Sequence, residues 1–274
     1  AMLKSFSQDL RRAGHQLYTV VDHRVKDKLT EVFSRVEVAR TREEAWSKLC
    51  RMLEEVDAAF VVAPATGGEH HKLVELVAKS RAQHLGASPK AVEVASNKYR
   101  TCEALAKQGV LVPKSIAHHP QMGVEGFVER VLDEIGLPAV VKPVDGVGCS
   151  GLSLVENPGE LVYAYQRACE AGGGEVVAQE YVEGVHASIS AIGGADGAIL
   201  VSVNLQLLTL SPPLGESTYL GGFSPYRELD WGEVEELVQS VWKAIPGLRG
   251  FFGIDLVFGK ESSKVVEVNP RLPT

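Results

Sequence analysis

Residues 250–269 read GFFGIDLVFGKESSKVVEVN, and this pattern decides the fold class of the last part of the chain. From residue 251 to 258 an apolar side chain falls on every second position, which predicts a strand with one buried face. Residues 259–263 predict a turn, and residues 265–268 the returning strand of a hairpin. If Phe258 pairs with Lys264 across that turn, Asp255 lies directly opposite Glu267.

The two carboxylates of this hairpin predict a metal site. Directly opposed residues of an antiparallel pair point to the same face, with Cβ atoms about 4.5–5.5 Å apart, so the two charges would repel each other. Asn269 shares the face of Glu267, whereas Val266 and Val268 share the other face. Because Mg²⁺ prefers carboxylate, amide and phosphate oxygens, we expect Asp255, Glu267 and Asn269 to bind Mg²⁺ or Mn²⁺. Two solvated acids on an exposed hairpin face are the alternative.

The second informative segment is glycine-rich and spans residues 146–151, GVGCSG. It matches the dinucleotide-binding spacing, but that site requires a helix at the third glycine, and residues 152–155 predict a strand. A P-loop is excluded because no Gly-Lys-Ser/Thr ends the segment. A glycine hairpin can instead present backbone N–H groups to phosphates, with Lys142 beside it as a point charge. An ordinary turn next to a solvated lysine is the alternative.

The rest of the chain alternates helices and strands and then becomes rich in strands. Up to residue 87, a parallel α/β unit is predicted from helices at 2–13, 42–55 and 69–80 and strands at 16–21, 32–38 and 57–63. After residue 88, further strands are predicted at 113–117, 137–143, 152–155, 176–182, 186–192 and 199–204. The first unit begins with a helix where such units usually begin with a strand, and we therefore expect a longer protein.

Composition narrows the class of protein. The 274 residues carry a net charge of −7 and no long basic run, which argues against nucleic acid and anionic membranes as partners. No apolar run reaches the length of a membrane span and no signal peptide is recognisable, so we expect a cytoplasmic protein. The four cysteines are far apart in sequence, which favours reduced thiols over disulfides or a zinc site.

Five short motifs, in this order, resemble those of the ATP-grasp superfamily from Asn97 onward. They are Asn97-Lys98, Val141-Lys142-Pro143, residues 145–151, residues 179–184, and Asp255 with residues 267–271. The resemblance implies an α/β and α+β architecture in three parts that clasps ATP. These are a pre-ATP-grasp domain over 1–87, a small subdomain with the glycine loop over 88–175 and a C-terminal subdomain with the metal site over 176–274. It also implies that both ends of the family's fold continue beyond this sequence.

Within the superfamily, residues 142–149, 219–222 and 267–272 resemble the tyramine–glutamate ligases of methanofuran synthesis, which belongs to one-carbon metabolism. The resemblance implies a Mg²⁺-ATP-dependent ligase that joins a small carboxylate to an amine through an acyl phosphate. Two alternatives stay open. One is an ATP-grasp enzyme of another class, a carboxylase or acyl-CoA synthetase, and the other is an inactive nucleotide-binding module. Dimers are common among such enzymes, so a homodimer is one expected state.

The resemblance also implies a role for individual residues. ATP would be bound by Lys98, Lys142, Gly146, Gly148, Ser150, Gly151, Gln179, Glu180, Val182 and His186, with the adenine held mainly by the backbone of Glu180 and Val182. Arg271 would face the transferred phosphoryl group and act in catalysis with Lys142. The acceptor side would be formed by Tyr219, Gly221, Gly222 and Arg271, and Asn204 and Gln206 could touch substrate.

Two positions depart from the family pattern. His186 stands where many members carry a glutamate that binds the ribose, so the ribose contact is left open. Gly253 stands where several ligases carry an arginine, which shifts the electrostatic role to Arg271.

Overall fold

The computed structural model describes residues 2–26, 31–64, 66–119, 121–227, 231–260 and 262–273. They fall into two units, the first formed by residues up to 62 with 73–85, and the second by 63–72 with 86–273. Every residue predicted for the site lies in the second unit. No helix within the described ranges is long and apolar enough to cross a bilayer. The four cysteines are free thiols, as expected.

The first unit contains short parallel strand pairs and helices. Its elements are α1 (Met2–Arg12), β1 (Tyr18–Asp22), β2 (Arg35–Ala39), α2 (Arg42–Leu53), β3 (Ala58–Ala59), the larger part of α3 (Glu69–Ala78) and β4 (Gln83–His84). β1 pairs with β2 and β3 with β4, both in parallel, which agrees with the predicted strand direction. The strand predicted at 57–63 is much longer than β3, because only Ala58 and Ala59 pair with a neighbour.

The second unit begins with a small subdomain built on a four-stranded antiparallel sheet. Its elements are α4 (Pro89–Ala95), α5 (Lys98–Lys107), β5 (Ser115–Ala117), α6 (Gly123–Arg130), β6 (Ala139–Pro143), β7 (Ser153–Val155), α7 (Leu161–Gly172) and β8 (Val176–Glu180). The strand order is β5-β8-β6-β7. Phe127, Val141, Leu161 and Ala178 are fully buried between the sheet and its helices, which holds β6 and β8 firmly in place.

A second, five-stranded antiparallel sheet completes this unit. Its elements are β9 (Gly184–Gly193), β10 (Ala198–Thr209), β11 (Thr218–Phe223), α8 (Trp231–Ala244), β12 (Gly250–Gly259) and β13 (Ser263–Asn269), in the strand order β11-β10-β9-β12-β13. Phe252, Ile254 and Leu256 are almost wholly buried, as the alternation predicts, together with Val238 of α8. The opposite face of β12, which carries Asp255, is therefore the polar face of the sheet. The alternation fails at the end of β12, where Phe258 is only half-buried and Val257, on the face of Asp255, is 2% exposed.

β10 and β11 differ from the sequence prediction. β10 continues to Thr209 instead of ending at 204, and β11 is a strand where no strand is predicted from the sequence. The pairing of β10 with β11 shifts register between Leu207 and Leu208. A Cβ on Gly222 would lie 2.3 Å from the carbonyl oxygen of Leu205, so glycine permits a close approach of two strands here rather than a turn.

Candidate functional site

The predicted opposition of Asp255 and Glu267 is present, but the pairing that leads to it differs. Phe258 pairs with Ser263 rather than with Lys264, so that part of the prediction is wrong. A register shift follows Asp255, where Leu256 pairs with Val265 and Val266 is left as the extra residue of a bulge. The bulge restores the Asp255–Glu267 pair.

The same bulge changes which valines of β13 are buried. Val265 and Val268 are each 1% exposed, whereas Val266 is only half-buried. The predicted alternation, with Val266 and Val268 on one buried face, therefore fails on one side of the bulge.

Two amide side chains hold the carboxylate of Asp255. Gln206 Nε2 donates to Asp255 Oδ1 at 3.0 Å, and Asn269 Nδ2 donates to Oδ2 at 3.0 Å. Burial, and then repulsion by Glu267, raises the pKa of Asp255 to about 7. The hairpin thus concentrates negative charge that the nearby amides compensate only in part, which favours a bound cation.

Two buried lysines face this carboxylate pair. Lys98 is the first residue of α5, after the N-cap Asn97, and Lys142 lies in β6. Lys98 Nζ lies 3.5 Å from Glu267 Oε2 and 3.5 Å from the carbonyl oxygen of Gly146 in the glycine loop. Burial, and then repulsion by Lys98, lowers the pKa of Lys142. Burial acts to raise the pKa of Glu267, but Lys98 and Lys142 outweigh it and lower that pKa.

The glycine loop joins two strands, β6 and β7, and no helix begins at its third glycine, as the sequence predicts. Positive φ angles occur at Gly146, Gly148 and Gly151 and also at Cys149 (64°). A Cβ on Gly151 would lie 2.5 Å from the Cβ of Ala171 in α7, so the end of the loop is packed against that helix. Ser150 is exposed near the tip, where its hydroxyl and backbone are accessible to a ligand.

The segment predicted to hold adenine connects β8 to β9. The Gln179 side chain is buried and donates to Ser115 Oγ at 3.0 Å and Cys102 Sγ at 3.2 Å, so it joins β8 to β5 and α5. The Glu180 carboxylate forms an ion pair with Lys264 Nζ. Val182 lies outside both strands, so its backbone groups belong to no strand ladder. The Gln179 side chain is thus engaged within the small subdomain, and the adenine contact through the backbone of Glu180 and Val182 stays a prediction.

His186 lies on β9 and contributes to the polar face. It is half-buried, and burial, followed by the nearby Lys142 charge, lowers its pKa. A largely neutral imidazole offers one donor and one acceptor, which suits a hydroxyl group. The position of His186 is thus compatible with the predicted cofactor contact.

Arg271 lies two residues after Asn269, the last of the three predicted metal ligands. Its Nη2 lies 3.5 Å from Asn269 Oδ1 and its Nη1 3.4 Å from the carbonyl oxygen of Leu272. Its Nε is buried and has no hydrogen-bond partner in the described part of the chain. The guanidinium therefore keeps donor capacity for an anion.

The predicted acceptor residues lie on β11, next to Gln206. Gly222 pairs directly with Gln206 and therefore lies on the same face of the sheet. The Tyr219 hydroxyl is 3.3 Å from the point where a Gly222 Cβ would lie, and Gly221 has a φ of 119°. Gln206 thus stands between the acceptor-side residues and Asp255.

Sequence reasoning missed the contact between Gln206 and Asp255. Gln206 lies on β10 and Asp255 on β12, so the glutamine side chain reaches over the intervening strand β9. Ser188 of β9 pairs with Asp255 on one side and with Asn204 on the other, so Gln206, two residues after Asn204, reaches Asp255 diagonally across β9. Asn204 donates to Ser188 and Ser190 Oγ, rather than pointing away from the sheet. The sequence feature that could have indicated these contacts is the alternation of small polar residues, Ser188 and Ser190, along β9.

The donor set fits a hard divalent cation, with two carboxylates and one amide on one face. The described residues contain no group of three or more His, Cys, Asp and Glu side chains that could bind a metal, so further ligands would have to be water or phosphate oxygens. Asn269 presents its amide nitrogen to Asp255 and its oxygen to Arg271, and the amide would have to turn over to act as a ligand.

Comparison with known proteins identifies the class. The family described as ATP-grasp domain matches residues 95–274, and the pre ATP-grasp 3 domain matches residues 15–92. This chain therefore belongs to the ATP-grasp family, which confirms the fold predicted from the motifs. The predicted domain limits at 87 and 175 stay a prediction.

Similar proteins include two types of ligase. The chain is 26% identical to a tyramine–L-glutamate ligase of Methanocaldococcus jannaschii over 88% of this chain and 66% of that protein. It is 24% identical to a D-alanine–D-alanine ligase of Desulforudis audaxviator over 78% of this chain and 71% of that protein. The predicted resemblance to tyramine–glutamate ligases is thus confirmed as a similarity, and the chain spans about two thirds of the length of these relatives.

Among solved structures, the fold matches a biotin carboxylase–β,γ-ATP complex from Campylobacter jejuni. The TM-score is 0.79 at 24% identity, and the match covers 98% of this chain and 62% of that one. At this identity the likeness establishes the fold alone.

Proposed function

We propose that this chain is the ATP-binding and catalytic part of a Mg²⁺-ATP-dependent carboxylate–amine ligase. The main support is that the buried side chains of Lys98 and Lys142 face the carboxylates of Asp255 and Glu267. Lys98 also lies beside the glycine loop, 3.5 Å from the carbonyl oxygen of Gly146. Buried pairs of like charges, the lysines on α5 and β6 and the carboxylates on the β12–β13 hairpin, are costly unless an ionic ligand uses them. A nucleotide triphosphate with a divalent cation supplies both complementary charges.

The reaction is the formation of an amide in two steps. A carboxylate oxygen attacks the γ-phosphorus of ATP, the bond to the β–γ bridging oxygen breaks, and ADP leaves. The amine nitrogen then attacks the carbonyl carbon of the acyl phosphate, the carbon–oxygen bond breaks, and phosphate leaves as the nitrogen loses its proton. The protein contributes position and charge rather than a covalent bond.

Each part of the site has a task in this scheme. Lys98 and Lys142 bind the ATP phosphates, and the exposed tip of the glycine loop covers them and excludes water. Asp255, Glu267 and Asn269 hold Mg²⁺ or Mn²⁺, which neutralises phosphate charge when bound. Arg271, with its unused Nε donor, stabilises the transferred phosphoryl group and the acyl phosphate.

The substrate pair follows from the ligase relatives and the acceptor side. We propose an amino-acid carboxylate and an amine related to L-glutamate and tyramine, for a methanofuran-type cofactor. We assign Tyr219, Gly221 and Gly222 to the amine side, because Gly222 pairs with Gln206, whose amide donates to Asp255. The homodimer and the cytoplasmic location stay predictions.

A carboxylase is the second candidate. Phosphorylation of bicarbonate would use the same lysines and carboxylates. An acid–thiol ligase would differ from the proposed ligase only in the second step, where a thiol attacks the acyl phosphate. An inactive nucleotide-binding module would bind ATP without turnover.

The test is ADP release by the full-length protein with ATP, Mg²⁺ and L-glutamate, with and without tyramine. We expect amine-dependent ADP release that is lost in Glu267→Gln and kept in the control Glu170→Gln, an exposed acid of α7. ATP binding without turnover on this pair would refute the substrate pair, and a screen of acids with amines, bicarbonate and thiols would follow. Failure to bind ATP would refute the function as a whole.

A further inference from the structure

The connection between β10 and β11, residues 210–217, lies against the small subdomain. The backbone N–H of Leu154 in β7 donates to the carbonyl oxygen of Ser211 at 2.9 Å. β7 is the edge strand of its sheet and pairs with β6 on its other side. The connection therefore covers a sheet edge that would otherwise present unpaired backbone groups.

Arg167 fixes the same connection from α7. Its Nη1 donates to the carbonyl oxygen of Pro213 at 2.7 Å and also to that of Gly215. The connection is closed on itself, because Ser211 N donates to Ser217 Oγ at 3.0 Å and Gly215 N to Pro212 O at 2.9 Å. Hydrogen bonds from a charged donor are stronger than those between neutral groups. We therefore expect Arg167 to hold residues 210–217 to α7.

The two ends of this attachment lead to different parts of the site. On one side, α7 packs against the end of the glycine loop, where Gly151 meets Ala171. On the other side, the connection runs directly into β11, whose second residue is Tyr219. Arg167 therefore connects the helix that packs against the glycine loop with the segment that leads into β11.

We propose that Arg167 is a positioning residue that ties the acceptor side of the site to the glycine loop. When the loop closes on a nucleotide, Arg167 carries residues 210–223 with it and orders the segment that meets the amine. This rests on the proposed function, because it needs nucleotide at the glycine loop, and it adds an order of events. The amine binds more tightly after the nucleotide, and by thermodynamic linkage the nucleotide binds more tightly after the amine.

Hydrogen exchange of the full-length protein, with and without AMP-PNP and Mg²⁺, tests this coupling. The variants are Arg167→Gln, Arg167→Lys and the control Arg130→Gln, which removes a surface arginine paired with Glu134 in the same subdomain. In the wild type and the control, we expect nucleotide to slow exchange in both residues 144–152 and residues 210–223. Arg167→Gln should keep the protection of 144–152 and lose that of 210–223, by on the order of tenfold in exchange rate. Arg167→Lys, which keeps one charged donor, should recover part of it.

Each other outcome overturns the coupling in a recognisable way. Equal protection of residues 210–223 in the wild type and Arg167→Gln would show that Arg167 is not the link. Protection of residues 144–152 alone in the wild type would show that the acceptor side does not follow the loop, while the nucleotide site stands. Absence of protection in both segments would overturn the nucleotide site itself, and the coupling with it. If Arg167→Gln fails to fold, Arg167→Lys decides the matter. Weaker protection of residues 210–223 than in the wild type would support the coupling, and unchanged protection would overturn it.

Discussion

The β12–β13 and β10–β11 hairpins lie at opposite edges of one sheet, and both contain a register shift. Only the first hairpin is predicted from the sequence. β12 lies between two strands and buries Phe252, Ile254 and Leu256, so its apolar residues alternate. β11 is an edge strand whose large residues Leu220 and Phe223 are 66% and 64% exposed. A strand that buries neither face has no reason to alternate, and its position is set by its neighbour alone.

The largest expected effect is on activity and concerns Asp255, on the polar face of β12. Asp255→Asn should lower kcat by about 10²–10³-fold, because it removes one of two charges that hold the cation at the phosphates. The folded protein should nevertheless gain stability, since the substitution ends the repulsion by Glu267. ADP release and thermal unfolding without metal measure the two effects. A variant that is both active and less stable would contradict the assignment of a metal site.

The buried face should respond in the opposite manner. Ile254→Ala should lower the free energy of unfolding by about 2–5 kcal/mol, because it leaves a cavity in a fully buried layer. Leu220→Ala on the exposed edge strand should change it by less than about 0.5 kcal/mol. Urea unfolding of both variants makes the comparison. Similar losses would show that β11 is buried in solution.

A third test joins the two hairpins through Gln206, which belongs to β10 but holds Asp255. Gln206→Leu should weaken Mn²⁺ binding in the presence of ADP by about 10–100-fold, as for other residues that orient a metal ligand. Asn204→Leu, next to it, serves as the control, since Asn204 bonds to Ser188 and Ser190. Paramagnetic resonance of free Mn²⁺ gives the affinity. Equal effects of both variants would assign Gln206 a role in packing only.

The last prediction concerns pH. The pKa of Asp255 is raised to about 7 in the folded chain, so the folded state binds a proton that the unfolded state releases near pH 4. The metal-free protein should therefore lose stability as pH rises from about 4 to 7. The lowered pKa of Glu267 acts in the other direction and at lower pH. Urea unfolding in EDTA at several pH values measures the slope, which should be smaller in Asp255→Asn.

These regions also show what a sequence can predict about this molecule. The face that Asp255 occupies was predictable, because a carboxylate within an apolar alternation points away from the buried residues, but its opposition to Glu267 also depends on the bulge. The bulge at Val266 was not predictable, since its place depends on pairing energies along the whole hairpin. The short motifs located the lysines and the glycine loop, because each keeps its residue types within a few positions.

Contacts between distant segments could not be predicted. Gln179 belongs to a motif for adenine, but its side chain turns inward to Ser115 and Cys102, which lie far away in sequence. The link from Gln206 to Asp255 crosses an intervening strand, β9, and joins residues far apart in sequence. Arg167 lies in an ordinary amphipathic helix, and nothing in its neighbourhood in sequence indicates the carbonyl groups that it holds.

The packing at the end of the glycine loop divides its residues by their tolerance to change. Gly151 faces Ala171, and Gly172 would place a Cβ 2.3 Å from Pro143, so neither position can accept a larger residue without moving a neighbour. Val147 is 41% exposed and Ser150 is exposed at the tip. In a saturation library sorted only for folded protein, positions 151 and 172 should stay glycine while positions 147 and 150 diversify. A second sorting, for catalysis, would then reveal which tip residues are retained by the chemistry alone.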